Sequence, residues 1–96
     1  MKDCCKKTIR NSDEKKQLTN RLHRISGQLT GVEKMIEEDA YCNDVLIQLS
    51  AIEKSVKSLS NIILENHLYR CVSRDLEKGN FETIDEVMSL FKRFHD

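Results

Sequence analysis

Apolar residues recur twice along this chain at the same alternating steps of four and three. The first run is Leu18, Leu22, Ile25, Leu29, Val32 and Ile36; the second is Val45, Leu49, Ile52, Val56, Leu59 and Ile63. Such steps hold side chains on one stripe of an α-helix, whereas a strand, which alternates every second residue, would scatter them over both faces. The spacing predicts one long helix over about 13–38 and a second over about 43–78. Ser12 is the expected N-cap of the first, with Asp13 and Glu14 favoured by the dipole in its first turn. Glu38 to Asn43 breaks the period and forms the connection. Gly79-Asn80, with Lys78 before it, is the next stop signal. Ile84, Val87, Met88, Phe91 and Phe94 then mark a shorter third helix with one apolar face.

The 96 residues contain no proline and three glycines, so little interrupts a helical ladder, and a sheet protein would need turn residues that are missing. The fold class expected is all-α, a single domain over 13–96 behind a polar arm over 1–12. Gly27 and Gly31, four residues apart inside the first helix, share a face where another backbone can approach closely. Two long helices and a short one cannot enclose all of their own apolar stripe. An antiparallel helical hairpin that pairs with a second copy into a four-helix-bundle dimer solves the problem. A purely structural coiled coil is the rival, but it calls for a more regular charge pattern beside the seam. No apolar run reaches the roughly 18 residues of a membrane span and the first residues lack the apolar centre of a signal peptide, so a cytoplasmic location is expected.

A formal net charge of zero conceals an asymmetry. Residues 1–24 carry eight Lys and Arg against three Asp and Glu; the remainder carries eight against thirteen. A basic arm on an acidic body suits a polyanionic partner, or is simply a solvated tail. Arg21, Arg24 and Gln28 share a helix face away from the apolar seam, and with Lys6, Lys7 and Arg10 of the arm they could contact DNA phosphates. Lys54 and Lys57 make a smaller basic pair. There is no helix-turn-helix, zinc finger or phosphate-binding glycine loop, so any DNA contact would use a flat helical surface.

The four cysteines are Cys4, Cys5, Cys42 and Cys71. In a reducing compartment they serve as thiols for metal or redox chemistry, or are buried. His67 and Cys71 lie four residues apart on one helix face and can chelate a soft metal together. Cys42 stands at the other end of the same helix, about 38 Å from His67 by helical rise. It can join them only from a second protomer whose long helix runs antiparallel. Two thiolates and one imidazole suit Cu(I) better than four-coordinate Zn(II). The alternative from spacing alone is a buried cysteine pair with a surface histidine. No catalytic triad or nucleophile elbow is present, and an enzyme is not expected.

The run Arg21-Leu22-His23-Arg24-Ile25-Ser26-Gly27-Gln28-Leu29-Thr30-Gly31-Val32, the run from Met35 through Tyr41-Cys42-Asn43-Asp44 to Gln48, and Leu64-Glu65-Asn66-His67-Leu68-Tyr69-Arg70-Cys71-Val72 together resemble the copper-sensitive operon repressor (CsoR) family, over about residues 15–94. The resemblance implies a dimer of hairpins that pairs again into a dimer of dimers, a homotetramer. It implies a repressor that binds double-stranded operator DNA in the apo form and leaves it when the inducer binds. It further implies Cu(I) held by Cys42 of one protomer and His67 and Cys71 of the other, with Tyr41 and a glutamate beside them. The glutamate falls at 86 to 87, where this chain has Glu86 and then Val87. The family's basic residue near the Gly-Gln motif matches Arg21.

Branches of the family differ by ligand. A sulfur-sensing branch has Cys where this chain has His67; a nickel and cobalt branch has an N-terminal His and a His in place of Cys71; a formaldehyde branch has Pro where this chain has Lys2. Copper is the branch that the residues fit. Rival functions are a persulfide or electrophile sensor acting through Cys42, and a cytosolic copper buffer that uses Cys4 and Cys5 and never binds DNA.

Overall fold

The computed structural model describes residues 8–95, and every regular element among them is helical. Helix α1 is Ser12–Glu37 and α2 is Cys42–Asn66; a π-helical stretch, His67–Val72, runs straight into the short α3, Ser73–Glu77; α4 is Glu82–His95. The backbone thus stays helical from Cys42 to Glu77, close to the predicted second helix, but its pitch changes in the middle. No proline or glycine marks the change. Ser73 does: its hydroxyl donates to the Leu68 carbonyl, five residues back, at 3.1 Å, the separation of a π turn.

The N-cap of α1 is Asn11, not Ser12. Asn11 Oδ1 accepts from the Glu14 N–H at 2.9 Å, and Glu14 Oε1 accepts from the Asn11 N–H at 3.3 Å. This reciprocal box needs an acceptor three residues after the cap; Ser12 would find Lys15 there, which cannot accept. Both helix stops use a left-handed residue. Asp39 (φ 58) follows α1, and the Ala40 N–H returns to the Met35 carbonyl; Gly79 (φ 82) follows α3, and the Asn80 N–H returns to the Asp75 carbonyl. Glycine takes that conformation freely; an aspartate tolerates it better than most residues do.

The chain divides into two compact units: one spans Arg10–Ile62, and the other begins at Ile63 and takes in the segment that ends at Ile9. Within the first, the seam of α1 splits into two heptad tracks. Ile25 and Val32, seven apart, are buried; Leu22, Leu29 and Ile36, also seven apart, are 50%, 50% and 62% exposed. In α2, Ile52 and Leu59 are buried while Leu49 and Val56 are 41% and 44% exposed. One track of each helix is covered by the chain itself and the other is left open. In the second unit, Cys71, Val72, Thr83 and Val87 are buried. No helix among the described residues is long and apolar enough to cross a membrane.

Candidate functional site

Two sets of polar residues stand out. The first is a cleft of about 260 Å³ between α1 and α2, lined by Arg21, Arg24, Ile25 and Gln28 of α1 and by Lys54, Ser55 and Ser58 of α2. Its three charged lining residues are all cations. Arg21 and Arg24 are exposed, so both guanidinium groups can reach outward for phosphate oxygens in paired N–H geometry. Gln28 is half-buried at the wall and brings both a donor and an acceptor. The sequence placed Arg21, Arg24 and Gln28 on one face and set Lys54 apart. Folding the chain back at the Glu38–Tyr41 connection brings residues 54–58 opposite residues 21–28, so an antiparallel register about that turn would have found Lys54. Lys57 does not line the cleft.

Arg10 is half-buried beside the Asn11 cap, with its Nε buried and without a hydrogen-bond partner among the described residues. It is therefore less available to a polyanion than a free arm residue would be. Lys6, Lys7, Cys4 and Cys5 lie outside the described residues.

The second set is the soft donors. Cys42 is the first residue of α2 and its free thiol is exposed. The preceding Tyr41 starts the helix, its carbonyl accepting the N–H groups of Asp44 and Val45 at 3.0 and 3.2 Å, and its ring lies open to solvent. His67 and Cys71 both belong to the π-helical stretch, the first half-buried and the second only 5% exposed. The hydroxyl of Thr8 lies 3.5 Å from Cys71 Sγ. Glu86 is an exposed residue of α4. Cys42 falls in the unit Arg10–Ile62; His67, Cys71 and Glu86 fall in the other. Among the described residues, no three His, Cys, Asp or Glu side chains gather into a metal-binding group within the one chain. The candidate soft donors are divided along the sequence, with one exposed thiol at the first residue of α2 and an imidazole–thiol pair in the π-helical stretch.

The sequence matches the family of metal-sensitive transcriptional repressors over residues 14–93. It is 42% identical over 86 residues to the copper-sensing transcriptional repressor CsoR of Bacillus subtilis, covering 88% of this chain and 85% of that protein. It is 41% identical over 68 residues to the copper-sensing transcriptional repressor RicR of Mycobacterium tuberculosis, 71% of each chain. In three dimensions it resembles the Cu(I)-bound CsoR of Geobacillus thermodenitrificans with a TM-score of 0.88 and 35% identity, over 94% of this chain and 95% of that one. The nickel-responsive regulator InrS is more distant, with a TM-score of 0.71 and 32% identity over 91% of this chain and 99% of that one.

Proposed function

The chain belongs to the metal-sensitive transcriptional repressor family, and on that footing we propose that it is a Cu(I)-responsive repressor, bound to operator DNA in its apo form and released when Cu(I) is captured between protomers. It is not an enzyme; its relatives are repressors. The observation that carries the reading is the division of the donors: an exposed Cys42 thiol at one end of the helical run and His67 with Cys71 at the other.

Cys42 from one protomer would meet His67 and Cys71 from the other across an antiparallel pair of long helices. Two sulfurs and one imidazole make a soft, three-donor set that fits Cu(I) and leaves Ni(II) and Zn(II) short of their usual ligand number. The exposed track of Leu22, Leu29, Ile36, Leu49 and Val56 supports the dimer, because a second copy would cover it. A dimer of dimers would then set several basic clefts along one operator. Tyr41, next to Cys42, and Glu86 on α4 are the residues we assign to hold the ligand ends in place.

On the DNA side, Arg21, Arg24, Gln28 and Lys54 bind phosphates from the cleft, and Lys6, Lys7 and Arg10 add the contacts of the arm. Cu(I), when bound, supplies a covalent-like link between the two protomers' helix ends. Cys42 and Cys71 would hold it as thiolates, each giving up its proton on capture. Metal capture and DNA binding oppose each other by one coupling free energy, so operator DNA weakens metal binding by the same factor.

Mixed protomers test the shared site. Neither Cys42→Ala alone nor His67→Ala/Cys71→Ala alone should hold Cu(I) against a competing chelator. Refolded together in equal amounts, half of the dimers are mixed and each mixed dimer regains one complete site. Binding should return to about a quarter of an equivalent per protomer. No recovery on mixing would rule out a site shared across the interface.

A further inference from the structure

Cys71 is the proposed ligand that the chain itself covers, with 5% of its surface exposed, and the polar group seen against its sulfur comes from 63 residues earlier in the sequence. Thr8 Oγ1 stands 3.5 Å from Cys71 Sγ, a distance at which either atom can donate a hydrogen bond to the other. Thr8 directly follows Lys6 and Lys7 and lies two residues before Arg10, the basic residues assigned above to DNA.

We propose that Thr8 latches the N-terminal arm onto Cys71, so that docking of the arm and capture of metal compete for the same sulfur. The inference rests on the copper-repressor reading and names the way the two sites are coupled. A metal–thiolate bond is roughly 2.3 Å long, so two donors on one ion stand at most about 4.6 Å apart. The Thr8 oxygen at 3.5 Å therefore occupies the shell in which another donor to a shared ion has to stand. A sulfur with almost no open surface cannot admit an ion until some cover moves. Thr8 is a cover built to move: it is itself exposed, and the next residue, Ile9, is 86% exposed, so little apolar burial holds this end of the arm. One neutral hydrogen bond contributes about 1 kcal/mol, far less than a metal–thiolate bond.

The consequence for DNA follows from chain connectivity. Lys6 and Lys7 directly precede Thr8 in the sequence, so whatever holds or frees Thr8 acts on the segment that carries them. Undocking Thr8 removes the restraint on their position, and the entropy of ordering the arm must then be met by DNA binding itself. The apo latch favours the operator-bound state and metal capture abolishes it, which is the direction that repression and release require.

The full-length chain tests this with Thr8→Val, which keeps the shape and removes the hydroxyl, and Thr8→Ser, which keeps the hydroxyl. Under anaerobic conditions, tryptic cleavage after Lys6 and Lys7 should be slow in the apo wild type and accelerate with one equivalent of Cu(I). Apo Thr8→Val should be cleaved at the fast rate without metal, bind Cu(I) about 5-fold more tightly by chelator competition, and bind the operator about 5-fold more weakly; about 1 kcal/mol converts to that factor. Thr8→Ser should behave as the wild type in all three. Unchanged cleavage in Thr8→Val overturns the latch. So does weaker Cu(I) binding by Thr8→Val, which would make the hydroxyl a support for the thiolate. A wild type that never binds the operator would instead overturn the repressor reading, and the cleavage rates would still report on the latch separately.

Discussion

Replacing Arg21 and Arg24 together by Ala is expected to weaken apo binding to the chain's own promoter by about 100-fold or more at physiological salt. Both side chains are exposed on the wall of the α1–α2 cleft, so neither supports the core and the helical content should not change. In an oligomer every protomer loses two cations, and the effect multiplies. The logarithm of affinity should also fall less steeply with the logarithm of salt, by about 0.9 for each phosphate contact removed. Measuring the slope separates a lost contact from a damaged fold: misfolding lowers the active fraction and leaves the slope as it was. Lys54→Ala should act in the same direction with a smaller effect, since one cation is removed from a cleft that keeps two.

Replacing Cys42 by Ala is expected to abolish the response to copper while apo DNA binding stays at the wild-type level. The coupling between effector and DNA in such proteins is typically 5- to 150-fold in affinity; in this variant the ratio of operator affinities without and with one equivalent of Cu(I) should fall below about 2-fold. Cys42 is the best ligand for this test because its thiol is exposed, so truncation leaves no cavity. Cys71 is a poorer choice. It is buried beside Val72, and its loss would mix a packing defect with a lost ligand. The checking measurement is a fluorescence anisotropy titration of labelled operator with the variant, anaerobically, in both metal states.

Much of the helical plan was legible in the residues. The two seams of alternating four and three, from Leu18 to Ile36 and from Val45 to Ile63, together with the stop at Gly79, place α1 and the helical run Cys42–Glu77 to within a residue or two, though not the end of α2 at Asn66 inside that run. Three features were not legible, each for its own reason. The cap fell on Asn11 because the capping box is decided by Glu14 reaching back, and both Asn11 and Ser12 are good caps in isolation. The π-helical stretch is six residues long, too short for its wider turn to show in the hydrophobic pattern; the Ser73 hydroxyl to Leu68 carbonyl bond marks it. The meeting of Thr8 with Cys71 spans most of the chain, beyond what any local pattern encodes.

The proposed ligand set divides in the same way. His67 and Cys71 announce themselves by their four-residue spacing. Cys42 acquires meaning only through an antiparallel partner, which no periodicity specifies. Among the residues proposed to contact DNA, Arg21, Arg24 and Gln28 were readable as one face, while Lys54 joins them in the cleft lining only through the hairpin. The seam also hid which of its tracks faces outward. Burial of Ile25 and Val32 beside exposure of Leu29 and Ile36 is a property of the folded hairpin, and it is the firmest physical argument for a second copy.

On the reading proposed above, Cu(I) and operator DNA each weaken the binding of the other to this protein. The most direct test is a titration of wild-type protein onto its own promoter fragment under anaerobic conditions, without metal and with one equivalent of Cu(I) per protomer. The apo protein should bind tightly and with a steep salt dependence, and its affinity should fall at least about 10-fold when copper is added. Equal affinity in both states would contradict that reading and transfer the inducer's role to a sulfur species or an electrophile; no binding in either state would contradict the repressor assignment itself.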